Sequence, residues 1–274
     1  MFSFLSNFFE KKQIDCFATL PLHACNITKP YLLERANIQS GTAVLIAIPY
    51  YSHAAEDPNR NISAYSVPRD YHRYFHQLFE ELIPLLNDRF PEHRFAGFAD
   101  HSPIDEIQAA ARAGLGIIGK NNLLITQKYS SYIFLGELIT DADIPYTDHG
   151  ISHCENCGLC MRACPAHALG TCLSALTQKK GQFTESEKQA IRQYGSVWGC
   201  DICQEVCPHT KRAISSGTIF SPIAFFQQDV ISHLNTEMIE HMEESAFTSR
   251  AFAWRGRETL LRNLKIFEKG EPSC

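Results

Sequence analysis

Between Asp70 and Phe90 the apolar residues Phe75, Leu78, Phe79, Leu82, Leu85 and Leu86 recur three or four positions apart, the spacing of an amphipathic helix with one face in a core. Thr42 to Pro49 reads TAVLIAIP, a continuous apolar run with the length of a buried strand. Shorter patterns surround these two. They predict a helix over Ser6 to Lys12, a strand over Ile14 to Thr19, and a helix that opens at Thr28-Lys29-Pro30 and runs through Arg35. Pro58 to Ser63 is a polar loop, and Arg94 to Ala99 and Tyr132 to Thr140 are strands. Ser102-Pro103-Ile104-Asp105 reads as a helix cap with proline in the first helical position, so a helix is expected to about Ala113. Asp100 then sits at a strand-to-helix turn.

Gly114-Leu115-Gly116-Ile117-Ile118-Gly119-Lys120 matches Gly-x-Gly-x-x-Gly by letter. A dinucleotide-binding turn follows a strand and opens a helix. This segment follows a helix and precedes the strand-like Leu123 to Thr126, so nucleotide binding is excluded. Its glycines serve tight turns and close backbone approach, either for packing or for a flat ligand. Asp141 to Gly150 links onward to a cysteine-rich region.

That region carries the strongest chemical signal. Eight of the eleven cysteines lie in Cys154-x2-Cys157-x2-Cys160-x3-Cys164-Pro165, Cys172, and Cys200-x2-Cys203-x3-Cys207-Pro208. The first run has the spacing of bacterial ferredoxins, in which three cysteines wrap one cube and the one before proline reaches the other cluster. Two [4Fe-4S] clusters are therefore expected, one on Cys154, Cys157, Cys160 and Cys207, the other on Cys164, Cys172, Cys200 and Cys203. Structural zinc needs only four ligands and gives no reason for the third cysteine or the Cys-Pro ending. Cys16, Cys25 and Cys274 are left as structural or incidental thiols. His153, His167 and His209 have no required ligand role once eight thiolates are present.

Composition narrows the setting. With 274 residues and 45% hydrophobic content, the chain has the makings of a globular protein with a sizeable core. Met1 to Leu5 is apolar, but Glu10, Lys11 and Lys12 follow without a basic leader or cleavage site, and no run of about eighteen apolar residues occurs. A cytoplasmic protein without membrane association is expected, in a compartment that keeps thiolates reduced for iron. The net charge of −5 excludes a generally basic nucleic-acid binder and leaves a local basic groove open.

A series of segments, in order along the chain, resembles the cobalamin-dependent epoxyqueuosine reductases, which share their catalytic core with reductive dehalogenases. They are Asn61 to Tyr65 (NISAY), Arg69 to His72 (RDYH), Phe98 to Pro103 (FADHSP), Gly114 to Asn121 (GLGIIGKN) and Phe134 to Glu137 (FLGE). Both cysteine groups follow, with Cys172-Leu173-Ser174 and Gly199 to Cys203 (GCDIC), then Trp254 to Arg257 (WRGR) and Leu261-Arg262-Asn263. Relative to familiar members the resemblance implies a short form, expected to be without the C-terminal helical-repeat domain, which resembles a tRNA-contacting one.

The resemblance implies an oxidoreductase that makes the last step of queuosine biosynthesis in tRNA, acting on a modified wobble base in the anticodon loop. It implies two [4Fe-4S] clusters, cobalamin and an external low-potential electron donor. Asp100 matches the family's proton donor, although an aspartate just ahead of Ser-Pro is by pattern alone a turn or capping residue. Burial against the corrin would raise its pKa and the nearby helix N-terminus would lower it. Tyr65, Asp100, Lys120, Asn121, Asn122, Thr126, Ser174, Cys200 and Asp201 match positions around the family's cobalamin. Lys179, Lys180, Lys211, Arg212, Arg250, Arg255, Arg257 and Arg262 are candidates for a phosphate-contacting surface.

The expected fold class is α+β. A cobalamin-binding catalytic domain would span 1–150, a ferredoxin-like domain 151–212, and a C-terminal helical segment 213–274 would pack back on the core of what is expected to be a monomer. Two other classes stand beside this reading: an electron carrier without cobalamin, and a corrinoid reductase of a small molecule.

Overall fold

The computed structural model describes residues 1–268, so Cys274 lies outside the described residues. The chain divides into two compact units with interleaved segments. The first comprises Met1–Pro49, Tyr71–Cys157 and Arg212–Ile223; the second comprises Tyr50–Asp70, Gly158–Lys211 and the chain from Ala224 onward. This differs from the contiguous division at 150 and 212. Residues 50–70 leave the first stretch for the second unit, and 212–223 return to the first. Local patterning reports helices and strands but not which core each segment joins.

In the first unit four strands form an antiparallel sheet in the order β1 (Phe17–Pro21), β2 (Thr42–Pro49), β6 (Ile133–Thr140), β3 (Phe95–Phe98). Strands β4 (Ile117–Ile118) and β5 (Leu124–Ile125) make a separate small hairpin. Every residue of β2 is buried, as its unbroken apolar run requires for a strand covered on both faces. The accompanying helices are α1 (Phe2–Lys11), α2 (Pro30–Ala36), α3 (Tyr71–Arg89) and α4 (Glu106–Arg112). Phe75, Leu78, Phe79, Leu82 and Leu86 bury the predicted face of α3, while Leu85 remains exposed. Each such side chain contributes roughly 1.5–3 kcal/mol. Gly136 in β6 makes the fit possible, since a Cβ there would lie 2.2 Å from the Phe75 ring.

Helix α4 starts three residues later than expected from Pro103. The Pro103 carbonyl accepts from the backbone N–H groups of Thr28 (2.9 Å) and Lys29 (3.1 Å), and Asp105 N–H donates to the Asn26 carbonyl (2.9 Å). These bonds hold 103–105 extended, and Asp105 becomes the N-cap, accepting from Gln108 N–H at 3.1 Å.

The second unit is built largely of short helices. In chain order come α5 (Leu159–Ala163), α6 (Leu173–Thr177), α7 (Glu185–Tyr194), α8 (Ile202–Glu205), the first half of α9 (Pro208–Ser215), whose residues from Arg212 belong to the first unit, then α10 (Thr236–His241), α11 (Glu244–Phe247) and α12 (Arg257–Glu268). Thr184 and Glu187 form a reciprocal capping box at the start of α7. One apolar cluster gathers Trp198, Phe247, Phe252, Leu260 and Leu264; a second gathers Leu173, Leu176, Phe183, Ile191 and Ile266. Helix α12 supplies both, so the C-terminal helix is part of this unit's core. The fully buried Asn263 fixes it, donating to the carbonyls of Thr177 (2.7 Å) and Val197 (2.8 Å).

Candidate active site

Asp100 follows β3 and adopts a positive φ of 63°, with His101 N–H donating to the Ala99 carbonyl at 2.7 Å across it. This is a tight turn in a conformation that costs an L residue free energy and that aspartate tolerates better than most. Neighbouring groups hold it. His101 sits between the Lys29 amine (3.3 Å) and the Tyr31 hydroxyl (2.9 Å), and the Asp100 backbone N–H donates to Glu106 Oε1 at 3.1 Å. The Asp100 side chain is 71% exposed, with Oδ2 3.8 Å from His72 Nε2. His72 is the main reason the Asp100 carboxyl lies below its ordinary range, and partial burial opposes it without prevailing. A cavity of about 170 Å³ opens beside the turn, lined by Asp100, Glu106, Tyr71, Leu123 and Phe134 among others.

That cavity joins Asp100 to the hairpin bearing the other candidates of the first unit. Lys120 and Asn122 are exposed at its tip, Asn122 with φ of 60°, and Lys120 N–H donates to Cys154 Sγ at 3.3 Å. Asn121 Oδ1 accepts from Leu123 N–H at 3.4 Å. Thr126 is buried and closes a turn, its hydroxyl donating to the Ser130 carbonyl and accepting from Tyr129 N–H, both at 3.0 Å. The glycine-rich segment is a packed turn. A Cβ on Gly116 would lie 2.4 Å from the Ile125 carbonyl oxygen across the hairpin.

Tyr65, Ser174, Cys200 and Asp201 fall in the second unit, where hydrogen bonds tie down the segments that carry them. The Asp201 carboxylate is fully buried, receiving Arg60 Nη1 (2.7 Å), the Ser63 hydroxyl (2.5 Å), Ala64 N–H (2.7 Å) and Gln204 Nε2 (3.1 Å). Its oxygens therefore hold the segment that carries Tyr65, whose hydroxyl accepts from Trp198 Nε1 at 2.7 Å. The Thr177 hydroxyl ties Gly199 N–H (2.9 Å) to the Ser174 carbonyl (2.8 Å), linking α6 to the residue before Cys200.

None of the ten described cysteines is in a disulfide. Cys164, Cys172, Cys200 and Cys203 lie in the second unit, where Cys164 and Cys200 border the Leu173–Ile191 cluster and α5 packs against α8. Of the cationic candidates, several serve the fold. Arg250 is buried against the Asp229 carbonyl, Arg257 donates to the carbonyls of Ile239 and Met242, Arg262 to those of Lys179 and Gly181, and Lys179 pairs with Glu187. Arg255 is different. Its guanidinium lies 3.6 Å from the centre of the Trp254 ring, which is 59% exposed.

Sequence reasoning assigned no role to Arg60, His72, Glu106 or Glu137. Glu137 carried a readable signal, an ionisable residue inside the largely apolar eight-residue strand Ile133–Thr140. Arg60 and His72 gave none, because their partners are remote in sequence, and Glu106 reads as an ordinary first-turn acid of α4.

A family model described as epoxyqueuosine reductase QueG, DUF1730, matches residues 35–101, and one described as a 4Fe-4S double cluster binding domain matches 153–210. The epoxyqueuosine reductase of Lactococcus garvieae is 31% identical over 243 residues, covering 81% of this chain and 67% of that protein. The chain belongs to the epoxyqueuosine reductase family. The Gloeobacter violaceus member is also 31% identical, over 216 residues, covering 75% of this chain and 68% of its own length. The fold matches the structure of epoxyqueuosine reductase from Streptococcus thermophilus with a TM-score of 0.74 at 23% identity, over 97% of this chain and 80% of that one. It matches equally well an epoxyqueuosine reductase crystallised with an epoxyqueuosine-modified tRNA stem loop, with a TM-score of 0.74 at 24% identity and the same coverage. Membership brings a double-cluster ferredoxin-like region into a mixed α/β fold. Among the described residues no helix is long and apolar enough to cross a membrane.

Proposed function

We propose that this protein reduces epoxyqueuosine to queuosine in tRNA, with electrons passing from an external low-potential donor through two [4Fe-4S] clusters. The observation that carries the reading is the co-occurrence, in one family member, of the double-cluster cysteine set and the strained Asp100 turn beside a cavity. The likeness to epoxyqueuosine reductases does not favour the electron-carrier or small-molecule readings. The reaction opens an epoxide, takes up two electrons and two protons, and releases water to leave an alkene. Clusters held by the eight cysteines would supply electrons one at a time.

The donor set fits the cofactors. Eight thiols free of disulfides are the ligands two cubanes require, in the crossed assignment given by their spacing. The exposed tip Lys120 to Asn122 is available to the amide-rich periphery of a corrin, as are Ser174 and Cys200, while Tyr65, Asp201 and Thr126 shape the backbone around them. When bound, cobalamin would supply the low-potential metal centre that the two-electron reduction needs.

Asp100 is the group that moves a proton. His72 keeps it ionised in the open protein, and covering it with substrate excludes water, which favours the protonated form needed to donate to the epoxide oxygen. Trp254 with its stacked Arg255 offers a face for an unpaired base of the anticodon loop, the recognition mode single-stranded RNA favours. The protein works as a monomer in the cytoplasm.

Reduced, cobalamin-loaded protein is expected to convert an epoxyqueuosine-containing anticodon stem-loop to queuosine. Asp100→Asn should keep iron and cobalamin and lose about 10²- to 10⁴-fold in turnover. Full activity in that variant would remove Asp100 from the mechanism. An inactive wild type holding both cofactors would overturn the reading.

A further inference from the structure

Glu137 projects from the middle of β6 and is fully buried, its carboxylate oxygens without a well-formed hydrogen bond and with the Ser102 hydroxyl as the donor beside them. An ionised carboxylate in that position would lack both water and a counter-charge, a cost proteins avoid by binding a proton. In the strand register Glu137 lies opposite Phe98, two residues before Asp100. Its neighbours are the Glu106 carboxyl and the Ser102 hydroxyl. Glu106 in turn accepts the Asp100 backbone N–H at 3.1 Å.

We propose that Glu137 carries a proton that it donates to Glu106, and that Glu106, held this way, anchors the Asp100 turn through its backbone N–H. The two glutamates are positioning residues for Asp100, and the assignment rests on the reading of Asp100 as the proton donor. The turn needs such an anchor, since its positive φ is not one that Asp100 would hold unaided. Burial and the adjacent Glu106 charge both push Glu137 well above the ordinary carboxylate range, and burial raises Glu106 as well. The other groups bearing on the pair are Asp100 and Ser102 from the turn, Lys29 at the start of α2, and Cys25. Lys29 is the basic group among these, and its amine is engaged with His101. The latch is present while the pair keeps its proton. As pH rises through the pair's titration both carboxylates become charged, repel each other, and release the turn.

The test is amide hydrogen exchange at Asp100 in the full-length, cluster-loaded protein, corrected for intrinsic exchange, between about pH 6 and pH 10, a window that spans documented buried glutamates. Wild type should protect this amide at least about tenfold at the acid end and lose protection toward the alkaline end. Glu137→Gln should stay protected throughout, because its amide donates to Glu106 at any pH; Glu106→Gln, an acceptor for Asp100 N–H and a donor to Glu137, is the second variant and should do the same. Glu106→Ala should lose protection at every pH. Wild-type protection that does not change with pH, glutamine variants that titrate as wild type does, or an unaffected Glu106→Ala would each overturn the proposal. The readout requires neither tRNA nor turnover, so its failure is distinguishable from failure of the functional reading.

Discussion

The buried carboxylate of Asp201 and the guanidinium of Arg60 meet at 2.7 Å, joining residues 141 positions apart in sequence. Without Asp201, Arg60 keeps Glu205 at 2.9 Å, but the Ser63 hydroxyl and the Ala64 N–H lose their buried acceptor. Asp201→Ala should therefore cost about 3–5 kcal/mol, read by denaturant unfolding. The Ser63–Tyr65 segment should loosen at the same time, seen as faster exchange of the Ala64 amide. A change below 1 kcal/mol would show that Arg60 and Ser63 find other partners.

Asp100 and His72 set a pH dependence whose sign follows from the geometry. His72 lowers the Asp100 carboxyl's affinity for protons, and a general acid is lost as pH rises through its pKa. His72→Gln raises that affinity, so the alkaline limb of turnover should move to higher pH. Rate-against-pH profiles of the two proteins check this, and a shift to lower pH would make His72 the proton source instead.

Anaerobically prepared protein should contain about eight irons, the complement of two cubane clusters. Cys172→Ser should disturb the cluster assigned to Cys164, Cys172, Cys200 and Cys203 and spare the other, as judged by iron content and electron paramagnetic resonance. Loss of the other cluster would refute the crossed ligand assignment.

Gly136→Ala tests the close packing of α3 on the sheet. The new methyl would meet the Phe75 ring at 2.2 Å, well inside contact distance, and Phe75 is itself buried. Overpacking of this kind costs about 1–3 kcal/mol, measured by urea unfolding. No loss would mean that Phe75 has room to move.

Reduced wild type mixed with cobalamin should change the corrin absorption spectrum on binding. Lys120→Ala and Asn122→Ala should weaken that binding while leaving iron content unchanged, since both side chains are exposed at the hairpin tip. Equal affinity in both variants would place the cofactor elsewhere.

Local periodicity and local spacing were enough for much of this protein. β2 has the bounds its apolar run predicts, α3 differs from its expected bounds by a residue at each end, and the cysteine spacing identifies a double-cluster domain because cluster ligation is written into short intervals of chain. What depended on remote contacts was decided by the tertiary structure. The start of α4 moved because carbonyl and amide partners at Asn26, Thr28 and Lys29 hold 103–105 extended. The depressed Asp100 carboxyl answers to His72 on α3, which neither the nearby helix N-terminus nor burial near Asp100 revealed. Asp201, Arg250 and Arg257 took structural roles because buried carboxylates and guanidiniums must find partners, and only the folded chain shows which partners are within reach.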